Sequence, residues 1–543
     1  MTKKIKLITI TILITILTLT QATIYANTGH SSVGYLRVGL SAPVNSIRIN
    51  ANSLDVFFIM NGQFVNMGQS IEGSGEFTLS VDNSYYIYIG DIDNVWPLNT
   101  VPILIDQGIW RTLAGPFDNV AEAQNHADAL RAPIAAPTGR RLALRSGGQV
   151  VALFDNYNST PFFADSRGGR INIGGYYYRG FLKAHRVGAN VTPVNMVHME
   201  DYLLSVVPSE MPASWHIEAL KAQTVAARSY AITRAGVHTD RGYDLCATVC
   251  CQVYLGMRQE SENSTAAVNH TRGIVALHNG NIINAVYSSS SGGIADNSEN
   301  VWLEASPYLR SVSDVYDTTG REWSRTFSLS ELTQVANANN FNIGNVQSVQ
   351  IASVSESGRV QRLVLNGQNG QITLEREMIR TFFSPSSGGS LYSRNFRLGS
   401  FSITSNGVNI GSNAIGGSQT FIIGGSTADS TLQQQALSAL SFVNSVGEIV
   451  PITTGNVNVQ TSEGRRVLNL YATGAAATSS SQNANVQITG GLNSTGDRVT
   501  FIGRGWGHGV GMSQHGARGM AEAGYTFDRI LKHYFTGITL EVR

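Results

Sequence analysis

The chain has 543 residues, 42% of them hydrophobic and only 14% charged, with a net charge of +1. A chain of this length holds two to four domains of roughly 100–200 residues, and its near-neutral charge gives no long-range field to steer it to nucleic acid or anionic lipid, so no nucleic-acid partner is expected. Ser, Thr, Asn, Gln and Gly stand where other chains carry charge, and such a surface suits ligands rich in hydroxyls and amides.

The first predicted element is a leader at residues 1–26. Lys3, Lys4 and Lys6 precede an apolar, Thr-rich run from Leu7 to Thr20, and Ala22-Thr-Ile-Tyr-Ala26 offers a cleavage point. This is the layout of a secretory signal, so the protein is expected to be exported. The alternative is an uncleaved anchor, for which the run is short against a span of about 20 residues.

Residues 27–140 read as an α+β region. Strands are expected at Gly34–Leu40, Leu54–Ile59, Phe77–Val81, Ile103–Asp106 and Trp110–Leu113, from alternation and β-branched content. A helix is expected over Asn119–Leu130, apolar at 120, 123, 127 and 130 and capped by Asp118. Short strands with Gly and Asn turns fill Arg141 to Arg186. Residues 141–398 form the main part of a mixed domain of helices and short strands, which 499–543 completes. Between them, 399–498 reads as a β-rich insertion of Gly, Ser, Thr and Asn, with a low-complexity run at Gly474–Ser481. An amphipathic helix, Thr526–Tyr534, ends the chain. The predicted class is α+β.

Candidate chemistry begins at Met199–Trp215. Glu200–Val207 is expected to be a short helix ended by Pro208, with Pro212 delaying the next element. Glu210 then sits on a turn among Val206, Val207, Met211 and Trp215. A carboxyl in such a setting keeps its proton toward neutral pH and can act as a general acid; the plainer reading is a solvated turn residue. A long helix follows from Ile217, capped by Ser214, with Glu218 in its first turn and a small-residue stripe of Ala219, Ala222 and Ala226. Arg228 on this helix either orders Glu210 or a substrate carboxylate, or makes a structural ion pair.

Tyr287-Ser-Ser-Ser-Ser-Gly-Gly293 reads as a strand end running into a polar loop. Tyr287, Ser288, Ser291 and Gly292 are candidate sugar contacts, against the alternative of a surface loop. From 503 to 511, five glycines alternate with Arg504, Trp506, His508 and Val510, a pattern that lets a strand be approached closely on one face. His508, Gln514 and His515 are candidate substrate contacts there, each with a structural alternative. His238, Cys246, Cys250 and Cys251 match the ligand set of a closed structural zinc site. The alternative is a Cys246–Cys250 or Cys246–Cys251 disulfide with one thiol left over.

Three blocks, in order, resemble the stage II sporulation protein D family, which includes the amidase enhancers. They are Val207–Tyr230; Tyr287–Gly293 with Asn300-Val-Trp302 and Pro307–Val312; and Gly503–Ala517 with Ile530–Gly537. The resemblance covers roughly half the chain. It implies a lytic transglycosylase at the cell wall, acting on peptidoglycan glycan strands stripped of stem peptides, with Glu210 as the catalytic acid. It also implies a cell-wall amidase or other wall hydrolase as partner, and a non-catalytic amidase enhancer is the second reading. Some family members hold zinc in the His/Cys region, where this chain has Cys250 in place of the more usual His. A hydrolase would need a second carboxylate about 5–9.5 Å from the first, for which Glu299, Asp296 and Glu218 are the candidates. The strand, Gly115-Pro-Phe and helix of the N-terminal region resemble the sporulation-related repeat that binds bare glycan; a scaffold subdomain is the alternative.

Overall fold

A computed structural model describes residues 34–398 and 498–543, apart from breaks at 61–62, 92–100, 106–108, 156–160, 167 and 320, together with backbone strands between 401 and 490. The leader expected at 1–26 and the run at 474–481 lie outside the described residues. The architecture is α+β, with eight α-helices among the described residues and many short strands in several sheets. No described helix is long and apolar enough to cross a membrane. Two compact units divide the chain: residues 1–284 with 540–543, and residues 285–539. This division falls inside the 141–398 span.

In the first unit, a seven-stranded sheet runs in the order 245–246, 35–39, 190–198, 181–187, 162–165, 53–60 and 63–72. Tyr35–Gly39 pairs antiparallel with Asn190–His198, and its end pairs parallel with Leu245–Cys246, Gly39 opposite Cys246. A ten-stranded sheet holds most of the other N-terminal strands, including Phe77–Val81, whose bounds match the sequence expectation. Helix α1, Val120–Leu130, is capped by Asn119 rather than Asp118, because the Asn119 side-chain Oδ1 accepts the Glu122 amide at 2.9 Å. Only Ala123 and Ala127 of its apolar positions are buried; Val120 and Leu130 are exposed.

Strand Asn190–His198 leads directly into helix α2, Met199–Glu210, and helix α3 follows at Ile217–Arg234. Helix α2 runs past the expected stop at Val207 and takes Pro208 into its last turn. Proline forfeits one backbone bond there. The Ser209 hydroxyl donates to Ser205 O at 2.7 Å and the Met211 amide to Val207 O at 2.9 Å, so the turn stays closed. Helix α3 is capped by His216, whose Nδ1 accepts the Glu218 amide at 3.2 Å, and not by Ser214. Ala219, Ala222 and Ala226 are wholly buried. Helix α4, Glu262–His270, is capped by Ser261.

The second unit has a core in which Phe327, Phe383 and Phe396 each meet Phe501 with ring centroids 5.3–5.6 Å apart. Phe501 belongs to strand Arg498–Gly503, which lies between Trp323–Ser328 and Phe396–Leu398. Phe396 faces Gly503 and Leu398 faces Phe501. Segment 399–497 therefore leaves and re-enters through neighbouring antiparallel strands, which lets so long an insertion leave the core unbroken. Within it, Phe401–Ser405, Val408–Ser412 and Val486–Gly490 form one sheet. Helix α5, Leu329–Ala338, starts with a capping box between Ser328 and Glu331. After the short α6, Met378–Thr381, come α7, Gln514–Glu522, and α8, Phe527–Tyr534.

Candidate functional site

Glu210 is the last residue of α2 and stands next to the buried Val206, Val207 and Met211. Its Oε1 accepts the Val253 amide at 2.7 Å. Burial raises its pKa, and the Val253 amide, which favours the charged form, offsets only part of that rise. The cause is desolvation rather than a neighbouring charge, so this carboxyl is inclined to hold a proton that it can later give up. Its partner segment is itself fixed. Gln252 is wholly buried; its Oε1 accepts the Tyr202 hydroxyl at 3.1 Å and its Nε2 donates to Ala227 O at 3.3 Å. One side chain thus ties α2, α3 and the Val253 amide together.

Arg228 is fully buried on α3. Its Nε and Nη2 donate to the two carboxylate oxygens of Glu200 at 2.9 and 2.7 Å, and its Nη1 donates to Ile274 O at 2.9 Å. Glu200 also accepts the Gly273 amide at 3.2 Å. Of the roles open to Arg228, the structure shows the ion pair, and a guanidinium so enclosed does not reach Glu210 or a substrate.

His238, Cys246, Cys250 and Cys251 each offer one donor atom, and the four atoms lie within 4.8 Å of one another. His238 Nε2 is 3.7 Å from Cys250 Sγ and 3.4 Å from Cys251 Sγ. Donors in a tetrahedral site with zinc–sulfur bonds of about 2.3 Å are separated by roughly 3.8 Å, so the spacing fits one ion. All three thiols are free. The cluster can hold a metal with all four positions filled by protein.

The remaining candidates lie in the second unit. Tyr287–Ser288 pairs parallel with Met512–Ser513. The loop after it turns inward: the Ser291 hydroxyl donates to Asp314 at 2.6 Å, and the Gly292 amide donates to Asp317 at 3.1 Å. The hydroxyl and the amide expected to meet sugar are thus engaged by two buried aspartates. Tyr534 donates to the other Asp314 oxygen at 2.8 Å, and burial first of all raises the Asp314 pKa. His508 Nε2 donates to Tyr287 O at 3.1 Å while its Nδ1 accepts the Val510 amide at 3.1 Å. Burial pushes its pKa down to about 3, so the ring is neutral and acts as a brace. Gln514 and His515 open helix α7 and are largely buried; the His515 amide donates to Ser289 O at 3.0 Å.

The glycine block is not the extended strand that alternation suggested. Gly505, Gly507, Gly509 and Gly511 all have positive φ. At Gly511, with φ +70°, a methyl group would overlap the Val286 carbonyl oxygen. Gly511→Ala is therefore expected to cost about 2 kcal/mol or more, from the left-handed penalty of roughly 1–2 kcal/mol plus the overlap. Gly524→Ala, with φ +88° but open space around it, isolates the first contribution. Denaturant unfolding of both variants checks this, and equal losses would contradict the overlap.

The carboxylates considered as a second catalytic group are all held by cations. Glu299 meets Arg310 at 2.5 Å, which lowers its pKa; the wholly buried Asp296 meets Arg394 at 3.0 Å; and Glu218 meets Lys221 at 2.7 Å.

Residues 187–278, which carry Glu210, Arg228 and the His/Cys cluster, match a family model described as stage II sporulation protein. The chain is similar to amidase enhancer and stage II sporulation protein D proteins. Residues 316–408 match a domain of unknown function. The chain is 32% identical to the amidase enhancer of Bacillus subtilis over 62% of its own length and 40% of that protein's. It is 25% identical to stage II sporulation protein D of the same organism, over 63% of this chain and 74% of that one. An uncharacterized protein of Brachyspira hyodysenteriae is 31% identical over 39% of this chain and 57% of its own. The chain therefore spans about half the length of the first relatives it matches.

Sequence reasoning missed four groups. Glu200 entered only as the first residue of an expected short helix, and the Val253 amide leaves no trace in side-chain identity. Asp314 and Asp317 lie three residues apart after the Pro307–Val312 block, a spacing with no motif to flag it.

Proposed function

We propose that this chain is an exported envelope protein that cleaves peptidoglycan glycan strands as a lytic transglycosylase, with Glu210 as both acid and base. The observation that carries the reading is the Glu210 carboxyl at the end of α2, whose pKa burial raises and which accepts the Val253 amide. Glu210 gives its proton to the oxygen joining N-acetylmuramic acid to N-acetylglucosamine. The carboxylate left behind takes the proton from the muramic C6 hydroxyl, whose oxygen attacks C1. The glycosidic bond breaks as a 1,6-anhydro ring closes, so atoms balance without water and one carboxyl serves twice. The arginine and lysine partners of Glu299, Asp296 and Glu218 favour this one-acid scheme over a two-carboxylate hydrolase. Mass spectrometry of digested, peptide-free strands tests it: anhydro-muramic ends are expected, and reducing ends would indicate hydrolysis.

The relative named amidase enhancer favours a second reading, in which the chain binds glycan and activates a wall amidase. Unchanged strands together with faster amidase turnover would select it.

His238, Cys246, Cys250 and Cys251 are assigned to a structural zinc, which when bound cross-links the segment leading to Val253. One metal equivalent per chain is expected by elemental analysis. Removal by a strong chelator is expected to lower the melting temperature by several degrees. A metal-free protein with a single titratable thiol would instead establish the disulfide.

A further inference from the structure

Once Arg228 is enclosed with Glu200, a carboxylated substrate lacks the arginine that sequence reading offered it. The second unit carries another. Arg321 is exposed, and its backbone takes φ +37°, a left-handed value that costs a residue with a side chain roughly 1–2 kcal/mol. Its position is held from both ends: the Gly505 amide donates to Arg321 O at 3.1 Å, and Arg321 Nε donates to His515 Nε2 at 3.0 Å. The partner is an imidazole accepting a hydrogen bond, which orients the guanidinium without neutralising it. Among the described residues, Nη1 and Nη2 of Arg321 have no partner. The neighbouring cations differ, since Arg504 is paired with Glu322 and Arg518 with Glu522.

Beside this arginine lies Trp506, 41% exposed. Its ring is stacked on Tyr392 with centroids 4.2 Å apart and planes 20° apart, and the Arg321 guanidinium lies over the ring, 5.6 Å from its centroid, which leaves the exposed part of the indole for a ligand. Two backbone hydrogen bonds, of 2.9 and 3.1 Å, fasten Trp506 to Ser290. A braced, half-open indole beside an oriented and unneutralised guanidinium matches one ligand chemistry: apolar ring hydrogens next to a carboxylate.

We propose that Trp506 and Arg321 form a subsite for a sugar acid, the indole taking the pyranose and the guanidinium taking the carboxylate borne on it. The ligand class rests on the peptidoglycan reading above. In that polymer the carboxylate is the lactyl group of N-acetylmuramic acid, free only where the stem peptide is gone, because the peptide converts it into an amide. Arg321 then selects stripped strands by charge.

The test is equilibrium binding to the full chain carrying Glu210→Gln, with three tetrasaccharides: the peptide-free muramic–glucosamine repeat, the same compound with its carboxylates amidated, and the all-N-acetylglucosamine analogue. The first is expected to bind about tenfold tighter than the other two, the range for hydrogen bonds to a charged group. Adding Arg321→Gln is expected to erase that difference, and Trp506→Ala to weaken all three. Equal affinities for the free and amidated forms in the parent, a difference that survives Arg321→Gln, or no binding of any of the three would overturn the subsite. Amidation is made on the ligand, so this arm does not depend on how a variant folds. Failure of the cleavage reading shows separately, as an absence of anhydro products from the unsubstituted chain.

Discussion

Glu210→Gln is expected to reduce release of anhydro-muramic products by about 10²–10⁴-fold, the span that general acid–base catalysis contributes. Gln keeps the volume and can still accept the Val253 amide through its carbonyl oxygen, so the end of α2 is preserved while the transferable proton is lost. The pH dependence has a definite sign. The first step needs the protonated acid, so the rate falls as pH rises through the Glu210 pKa, which burial places above the ordinary carboxylate value. Val253→Pro removes the hydrogen bond that favours the charged form, and the falling limb is expected to move to higher pH. Stability follows the same linkage. The folded state holds the Glu210 proton more tightly than the unfolded chain does, so this residue's contribution declines as pH rises from the unfolded pKa through the folded one. Glu210→Gln lacks that decline and is expected to be at least as stable as the parent above the folded pKa. Melting curves at several pH values check this, and a destabilised Gln variant would mean that its lost activity reports misfolding.

What the sequence revealed and what it concealed have physical causes. The α3 helix was legible because its burial needs only a run of good helix formers with small residues on one face, and Ala219, Ala222 and Ala226 supply it. Its cap was not, because His216 caps through a ring nitrogen where Ser214 offers the commoner hydroxyl. Pro208 looked like a stop; a side-chain bond from Ser209 and the Met211 amide keep the turn closed around it. The 503–511 block shows the limit of a period-two pattern. Alternating glycines fit an extended strand or a chain of left-handed turns equally well, and the close approach of Val286, Ser290 and Arg359 selects the second. Glu210 itself was legible as a carboxyl among apolar neighbours. Its alignment was not, since the aligning group is a backbone amide 43 residues away.

Arg228 supplies the second large effect. Its guanidinium and the Glu200 carboxylate form a two-bond fork that is shielded from water, and each also engages backbone beside the strand Ile274–His278. Removing one charge leaves the other buried and alone, which costs about 3–5 kcal/mol. Arg228→Met is therefore expected to lower the stability of the first unit by that amount in denaturant unfolding. Arg228→Lys recovers only part of the loss, because an ammonium cannot reproduce the planar fork. The double variant Glu200→Met with Arg228→Met is expected to lose far less than the sum of the single changes, since a well-packed apolar pair can replace a buried ion pair. This cycle also tells the structural role from a catalytic one. If the arginine only holds α2 to α3, the double variant recovers cleavage along with stability, and Glu210 stays where Val253 meets it. If cleavage remains lost while stability returns, the guanidinium acts on the reaction, and its enclosure against Glu200 must open when substrate binds.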